Sequence, residues 1–399
     1  MEYLADFHIH SRYSLATSKE ADLKGYSKMA VIKGLNVLGT GDFTHPKQVE
    51  DIKKSLTDLN NGLFKLNETI FILSAEVSCI YRKAGRTRKL HLIILMPSIE
   101  AVERFNKSIE KLGKLASDGR PVLASKTEDM GKMIMELALA ASDQAMVIPA
   151  HIWTPWFSLF GSRSGFDSIE ECFEDLSTHI RAIETGLSSD PKMNRMVKQF
   201  DNINIISNSD AHSPSKLGRE ATILQIDATS LSYDLIYKAL QTGKGLKGTL
   251  EFFPEEGKYF YDGHRNCNIS LHPGESAKHK NICPVCKKAL TLGVLSRVMD
   301  LSRKEEKDDN HPYCEYLVPL VQIISEVIGK RENSKIVVSH YNNMINKFGN
   351  ELNILRRLST NDIASYNLQI ADAILRIRNR NIKLIPGYDG VYGKISVTN

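Results

Sequence analysis

The stretch Asp6-Phe7-His8-Ile9-His10 closes a short apolar run that begins at Leu4. In an extended strand alternate residues share a face. His8 and His10 therefore point the same way, one pleat repeat apart, and both reach a single cation. A lone His-x-His is a common surface pair. Its meaning changes because histidines and acids recur at the ends of later apolar runs. Asp42-Phe43-Thr44-His45 follows the second run, Ala75-Glu76 the third, and His91 opens the fourth. Ala150-His151 closes the fifth, and Ser209-Asp210-Ala211-His212 closes a later one.

Strand-like runs are predicted at Leu4–Ile9, Leu35–Gly39, Ile70–Ala75, Leu90–Leu95, Ala145–Pro149, Ile203–Ser207 and Ala221–Ile226, with helical patterns such as Glu20–Lys33 and Ala101–Leu115 between them. This alternation predicts an α/β fold with a largely parallel sheet. About seven units suit a barrel, and an open doubly wound sheet shares the periodicity. In α/β barrels the strand C-termini gather on one face, where sites are built. Imidazole and carboxylate converging there form a polynuclear metal site suited to zinc, manganese or iron rather than calcium. Glu76 is the candidate carboxylate bridge between two cations. His179, His311 and His340 lack such context and read as surface or cap residues.

A second cluster lies downstream. Cys283-Pro284-Val285-Cys286 is a Cys-x2-Cys knuckle, and His264-Arg265-Asn266-Cys267 repeats the two-residue gap. His264, Cys267, Cys283 and Cys286 make a closed four-ligand zinc site with a structural role, because no position is left for water. His272 competes with His264 as the fourth ligand. Six cysteines in 399 residues, with three crowded into one segment, do not form a disulfide framework. Hydrophobic residues at 42% and charged residues at 25% are globular values. No apolar run approaches the ~18 residues of a membrane span, and the acidic N-terminus lacks a secretory pattern. A soluble, cytoplasmic protein is expected. The net charge of +5 permits a nucleic-acid partner without requiring one.

Three units are expected: residues 1–250 as the barrel, 251–301 as a zinc-binding module, and 302–399 as a helical C-terminal domain. Residues 302–312 form a charged linker. Helices are predicted over Leu317–Val327, Tyr341–Phe348 and Asp362–Ile377, the last capped by Thr360. Both tryptophans fall in the segment His151–Phe166. Its residues Trp153, Trp156, Phe160, Arg163 and Phe166 make either a packed loop core or a loop that stacks bases. Arg86 and Arg88 sit in a basic hairpin tip, which is either a phosphate contact or a solvated turn.

The order His-x-His, Gly-Asp with a nearby His, Ala-Glu, His, Ala-His and Ser-Asp-Ala-His resembles the polymerase and histidinol phosphatase (PHP) superfamily. With the knuckle, the Trp153–Ser162 segment and the His8–Glu20 stretch, the chain resembles the endonuclease Q family within it. The resemblance implies a distorted (β/α)7 barrel holding two or three divalent metals (Zn, Mn, Mg or Fe), plus one structural zinc. Carried over, His8, His10, Glu76 and Asp210 bind one metal, and Glu76, His91 and His151 the second. His212 belongs to a third site, with Asp42 or His45 beside it. The spacing Asp42-Phe43-Thr44-His45 departs from the adjacent Asp-His common in the superfamily, and no further histidine follows soon after His10. Asp210, Glu76, His8 and His10 would carry catalysis. The resemblance further implies a nuclease that nicks damaged DNA, double- or single-stranded, 5′ to uracil, hypoxanthine, xanthine or an abasic site. Such an enzyme extrudes the lesion and works at the nucleoid. The C-terminal residues Lys394–Asn399 lack a clamp-binding tail, so no sliding-clamp partner is expected. A small-molecule phosphoesterase and a non-catalytic DNA-binding scaffold are the alternatives.

Overall fold

Strands β1 (Glu2–Asp6), β2 (Val37–Gly39), β3 (Thr69–Lys83), β4 (Arg86–Met96), β5 (Met146–Pro149), β6 (Ala182–Glu184) and β7 (Asn204–Ile206) are the staves of a distorted barrel. The computed structural model describes residues 1–227, 230–302 and 313–397. β1, β2 and β3 pair in parallel. β4 lies antiparallel to β3 and to β5. Beyond β5, the Ile152 N–H donates to the Glu184 carbonyl of β6, and β6 pairs in parallel with β7. A parallel bridge between Ile9 and Ala211 brings the end of β7 back to β1 and closes the ring.

The antiparallel stave is compatible with the expected largely parallel sheet and places the predicted hairpin tip between β3 and β4. β3 and β4 are joined by Ala84 and Gly85 alone, both with positive φ (51° and 74°). Such a two-residue turn makes a hairpin, whereas parallel neighbours need a crossover of a dozen or more residues. β3 is also far longer than the predicted Ile70–Ala75. β6 was not predicted because its apolar run is only Ala182-Ile183, set between Arg181 and Glu184.

One inward residue from each stave, Ala5, Val37, Ile72, Ile93, Ile148, Ala182 and Ile206, shares one buried apolar cluster. Strand alternation then dictates what stands above it. Glu76 has the parity of Ile72, His91 that of Ile93, Glu184 that of Ala182, and Asn208 that of Ile206. His8 and His10 follow β1 where its regular pairing has ended. The same periodicity that fills the barrel with aliphatic side chains thus puts acids and imidazoles at its rim.

β8 (Ala221–Gln225) adds antiparallel to β1, β9 (Leu246–Glu251) antiparallel to β8, and β10 (Tyr313–Tyr316) parallel to β9. The helical segment therefore begins by extending the barrel's own sheet. It continues as helices Leu320–Ile328, Lys335–Phe348, Glu351–Arg356, Thr360–Ala364 and Leu368–Arg378. The predicted single helix Asp362–Ile377 is two, because the Asn367 side chain caps a new start on the Ile370 N–H. Ser359, rather than Thr360, caps the preceding piece. A buried Lys33–Glu351 ion pair at 2.7 Å ties these helices to the barrel. The Cys/His hairpin (Asp262–His264 with Ile269–Leu271) receives the returning C-terminal segment through a Tyr261–Tyr388 bridge. The expected linker, His311 included, lies outside the described residues from position 303 to 312. Among the described residues no helix is long and apolar enough to cross a membrane.

Behind the rim, Glu220 and Glu251 are fully buried. Both lie within hydrogen-bond distance of the Ser207 hydroxyl, at 3.1 and 3.2 Å. Burial, and for Glu251 the adjacent Glu220 carboxyl, hold both groups well above the ordinary value of 4.5. The folded protein thus keeps protons that the unfolded chain releases above about pH 4.5, and stability declines as pH rises from there towards the raised values. Glu251→Gln is expected to match wild type at roughly pH 4 and to exceed its melting temperature at about pH 8. Thermal unfolding across pH measures this, and equal slopes for both proteins would contradict it.

Candidate active site

Glu76 projects from the middle of β3 into the rim with its side chain fully buried. Its Oε1 lies 2.7 Å from His91 Nδ1, 3.1 Å from His151 Nε2 and 3.5 Å from His8 Nε2. Its Oε2 lies 3.3 Å from His10 Nε2 and 3.2 Å from Arg120 Nη1. Asp210 Oδ1 approaches His10 Nε2 at 3.1 Å, His212 Nδ1 at 3.5 Å and His8 Nε2 at 3.7 Å. Three triads have ligand atoms close enough to share an ion: His8–His10–Glu76, Glu76–His91–His151 and His10–Asp210–His212.

A second ring of acids sets the imidazole orientations. His8 Nδ1 is 3.0 Å from Glu184 Oε1, and His10 Nδ1 is 3.1 Å from Asp42 Oδ1. A carboxylate on Nδ1 fixes the ring and turns Nε2 towards the metal position. Glu184 also accepts from the His151 N–H at 2.7 Å and from Asn208 Nδ2 at 2.9 Å. Asp42 accepts from the Ser11 N–H and from the Ser11 and Ser14 hydroxyls. The backbone is bent to bring these groups together: Asp42, His151 and Asp210 all have positive φ (50°, 30° and 48°). Such conformations cost energy outside glycine and cluster at functional sites.

The electrostatics fit cation binding. Burial opposes charge on His8 and His10, yet Glu184 and Glu76 around His8, and Asp42, Asp210 and Glu76 around His10, raise both well above 6.5. Glu76 is held well below 4.5 against its burial, mainly by His91, His8 and Arg120. Burial pushes His91 down to about 4, so it is neutral and able to donate its lone pair. His8 Nε2, His10 Nε2 and Asp210 Oδ1 are buried and make no well-formed hydrogen bond within the protein. Buried polar atoms left in this state mark a place for another partner. The nitrogen and oxygen donors suit first-row divalent ions.

Several expected site residues take other places. Asp42 is the acid that orients His10 and does not join His212. His45 is outside the cluster: its ring stacks on Tyr13 with centroids 4.6 Å apart, and Nδ1 caps the helix Pro46–Ser55 by accepting from the Lys47 N–H. The proline after His45 starts that helix and turns the imidazole away. Trp153, Phe160 and Phe166 are fully buried, so their part of the loop is core rather than a stacking surface. Arg88 is buried over the Phe166 ring and donates to the Gly165 carbonyl. Arg163 donates to the Leu290 carbonyl and fastens the loop to the Cys/His module. Arg86 is exposed at the hairpin tip. Glu184 and Arg120 were missed. Glu184 ends a strand with only two apolar residues, Ala182 and Ile183, and Arg120 lies in the turn Asp118-Gly119-Arg120-Pro121, which has no histidine to draw attention.

A cavity of about 890 Å³ opens above the cluster. His91, His151, Glu184, Asp210 and His212 form its metal-facing side. Arg120, Lys216, Arg219 and Lys258 give it positive charge, and Trp156, Phe157, Tyr259 and Tyr392 give it aromatic walls. Trp156 is 39% exposed and meets Tyr259 edge to face. Lys258 and Tyr259 belong to the Cys/His module and Tyr392 to the C-terminal segment, so three parts of the chain enclose the cavity.

At the second cluster, His264, Cys267, Cys283 and Cys286 converge with ligand atoms within 4.8 Å of one another. Against its burial, the backbone N–H groups of Cys286 and Val285 draw the Cys283 thiol down to about 6, which favours the thiolate form that binds metal. His272 instead caps the helix Pro273–Lys278 in a capping box with Glu275.

The barrel and its histidine–carboxylate rim define a distorted barrel of the PHP type. Two solved structures are similar over nearly the whole chain. One is the lesion-specific endonuclease PfuEndoQ from Pyrococcus furiosus, at 31% identity and a TM-score of 0.87, covering 99% of this chain and 95% of that one. The other is endonuclease Q in complex with a 27-mer duplex carrying an abasic lesion at the active site, at 31% identity and a TM-score of 0.89, covering 100% and 97%. The chain belongs to the endonuclease Q family. Residues 319–381 match the family described as the MJ0043 C-terminal domain. The uncharacterized protein MJ0043 of Methanocaldococcus jannaschii is 34% identical over 61% of this chain, which spans about a third (31%) of that relative's length.

Cys283→Ala is expected to remove the metal of the Cys/His cluster and to loosen the segment that carries Lys258 and Tyr259. Elemental analysis of the purified protein checks this, and unchanged metal content would show that the cluster holds none.

Proposed function

We propose that this protein is a metal-dependent endodeoxyribonuclease. It nicks the phosphodiester 5′ to deaminated bases (uracil, hypoxanthine, xanthine) and abasic sites, and leaves a 3′-hydroxyl and a 5′-phosphate. The observation that carries this reading is the cavity itself, with candidate ligands on one side and walls drawn from three segments. A small phosphomonoester needs no wall from a Cys/His module and a C-terminal tail. An extruded nucleotide does, because its base must be held away from the helix while its phosphate faces the ligands. The similarity to a lesion-specific endonuclease, and to one bound to abasic-lesion duplex, points the same way.

In this reading residues 1–250 form the phosphoesterase unit, 251–301 the zinc-binding unit and 302–399 the helical unit. His8, His10, Glu76 and Asp210 would hold one cation and Glu76, His91 and His151 a second, while His212, beside Asp210, would serve a third where one is bound. Zinc, manganese or iron suits these donors better than magnesium, which prefers oxygen ligands, and zinc suits His264, Cys267, Cys283 and Cys286. Divalent cations in the barrel supply Lewis acidity: they acidify water and neutralise charge on a phosphoryl group. The protein's own part is to keep Glu76 ionised and to lock the His8 and His10 rings through Glu184 and Asp42. Trp156, Phe157, Tyr259 and Tyr392 stack the extruded base and exclude water. Deaminated bases carry a carbonyl where an amine stood. A fixed donor in the pocket discriminates because an amine would leave it unpaired. Damaged DNA, double- or single-stranded, is the partner, and the cytoplasmic nucleoid is the place of action.

A cleavage assay on uracil, hypoxanthine, abasic and undamaged duplexes tests the reading. Wild type is expected to nick the three lesions and spare the control. Asp210→Asn is expected to lose at least about 100-fold in rate while still retarding the lesion duplex in a gel. Hydrolysis of p-nitrophenyl phosphate with no nicking of any duplex would favour a small-molecule phosphoesterase instead.

A further inference from the structure

Arg120 brings a permanent positive charge against Glu76, at 3.2 Å, from the cavity side of the cluster. Its backbone is pinned from several directions. The Arg120 N–H donates to Asp118 Oδ1, which also takes the Leu15 N–H. The Gly119 N–H donates to the Tyr13 carbonyl, and Thr44 Oγ1 donates to the Gly119 carbonyl at 2.9 Å. Gly119 itself has no room for a side chain, since a Cβ there would collide with Asp42 Oδ2 and Ser14 Oγ. The turn is therefore clamped between the loop after His10 and the acid that orients His10. Arg120 is held in place while 27% of its side chain stays open to the cavity.

The other cavity arginine is engaged elsewhere. Arg219 donates to the Ser209 carbonyl at 2.8 Å and to the Asp210 carbonyl at 3.4 Å. Lys258 lies over the Tyr392 ring at 4.6 Å. Glu76 already has four imidazoles around it, so a guanidinium adds little to its orientation. The guanidinium's fork matches two phosphate oxygens, and its charge is not lost at any working pH.

We propose that Arg120 is a catalytic residue that grips the non-bridging oxygens of the scissile phosphate and takes up the charge that grows on them during hydrolysis. The inference rests on the phosphodiesterase reading given above. Water oxygen bonds to phosphorus and its proton is lost. The P–O3′ electron pair leaves with the 3′-oxygen, which gains a proton. Arg120 exchanges no proton. Before substrate arrives, the same guanidinium offsets the charge of Glu76.

The test uses full-length, metal-loaded protein and two variants, Arg120→Ala and Arg120→Lys. Inorganic phosphate binding, measured by titration calorimetry without turnover, should weaken at least about tenfold in Arg120→Ala. Its kcat on a lesion duplex should fall about 100- to 1,000-fold, the usual loss for one donor to a developing oxyanion, with KM changed only a few-fold. Added guanidinium should restore part of that rate, Arg120→Lys should lie between the other two proteins, and bound metal should match wild type. Phosphate affinity equal to wild type would overturn the proposal, and so would metal content falling in step with the rate, which marks a positioning role. Wild type that fails to nick the duplex would refute the nuclease reading alone, because the phosphate titration still decides Arg120.

Discussion

One buried charge organises the rim of this barrel. Glu76 is removed from water and remains ionised, which is costly unless positive charge and polar partners surround it. Four imidazoles and a guanidinium do so from β4, the chain after β1, the turn after β5 and the turn before Pro121. None of these contributors is adjacent to Glu76 in sequence. The carboxylate therefore acts as a common anchor on which widely separated segments must agree, and the closure of the barrel is what allows the agreement.

The agreement is enforced one layer further out. Asp42 and Glu184 each take the Nδ1 side of an imidazole and are themselves held by hydroxyl, amide or backbone donors. The Nε2 atoms are left facing inward with no well-formed hydrogen bond. The positive φ values at Asp42, His151 and Asp210 belong to the same account. Backbone strain at three points is tolerated because the surrounding bonds over-determine each conformation, and it is concentrated where ligands must converge.

This division explains what was legible in the sequence. His8, His10, Glu76, His91, His151, Asp210 and His212 could be picked out because each stands at or near the end of an apolar run, where alternation and topology predict a shared rim. The acids behind them were harder to assign. Asp42 drew notice, but spacing alone does not tell an acid that touches a cation from one that orients the imidazole doing so. His45 failed for a local reason, since Pro46 turns it into a helix cap. Glu184 was invisible because the two apolar residues before it, Ala182 and Ile183, do not make a run. The aromatic loop misled because density of Trp and Phe is equally the signature of a packed core, and here Trp153, Phe160 and Phe166 are that core, leaving Trp156 and Phe157 to the cavity. The hairpin of β3 and β4 was readable as a tip, but its effect on strand direction depended on counting two turn residues.

The barrel also contains an informative contrast. Glu220 and Glu251 are as deeply buried as Glu76, and their carboxyls are pushed well above the ordinary value, while Glu76 is pushed well below it. Desolvation acts upwards on all three. The difference lies in the neighbours. Around Glu251 the nearest partners are a hydroxyl and another acid, so holding a proton is the cheaper state. Around Glu76 they are bases and a guanidinium, so charge is the cheaper state. Burial alone therefore does not mark a metal ligand in this fold. What separates the functional acid from the structural pair is the set of lone pairs and positive charges converging on it, and that set exists at the rim, where the strands end and the cavity begins.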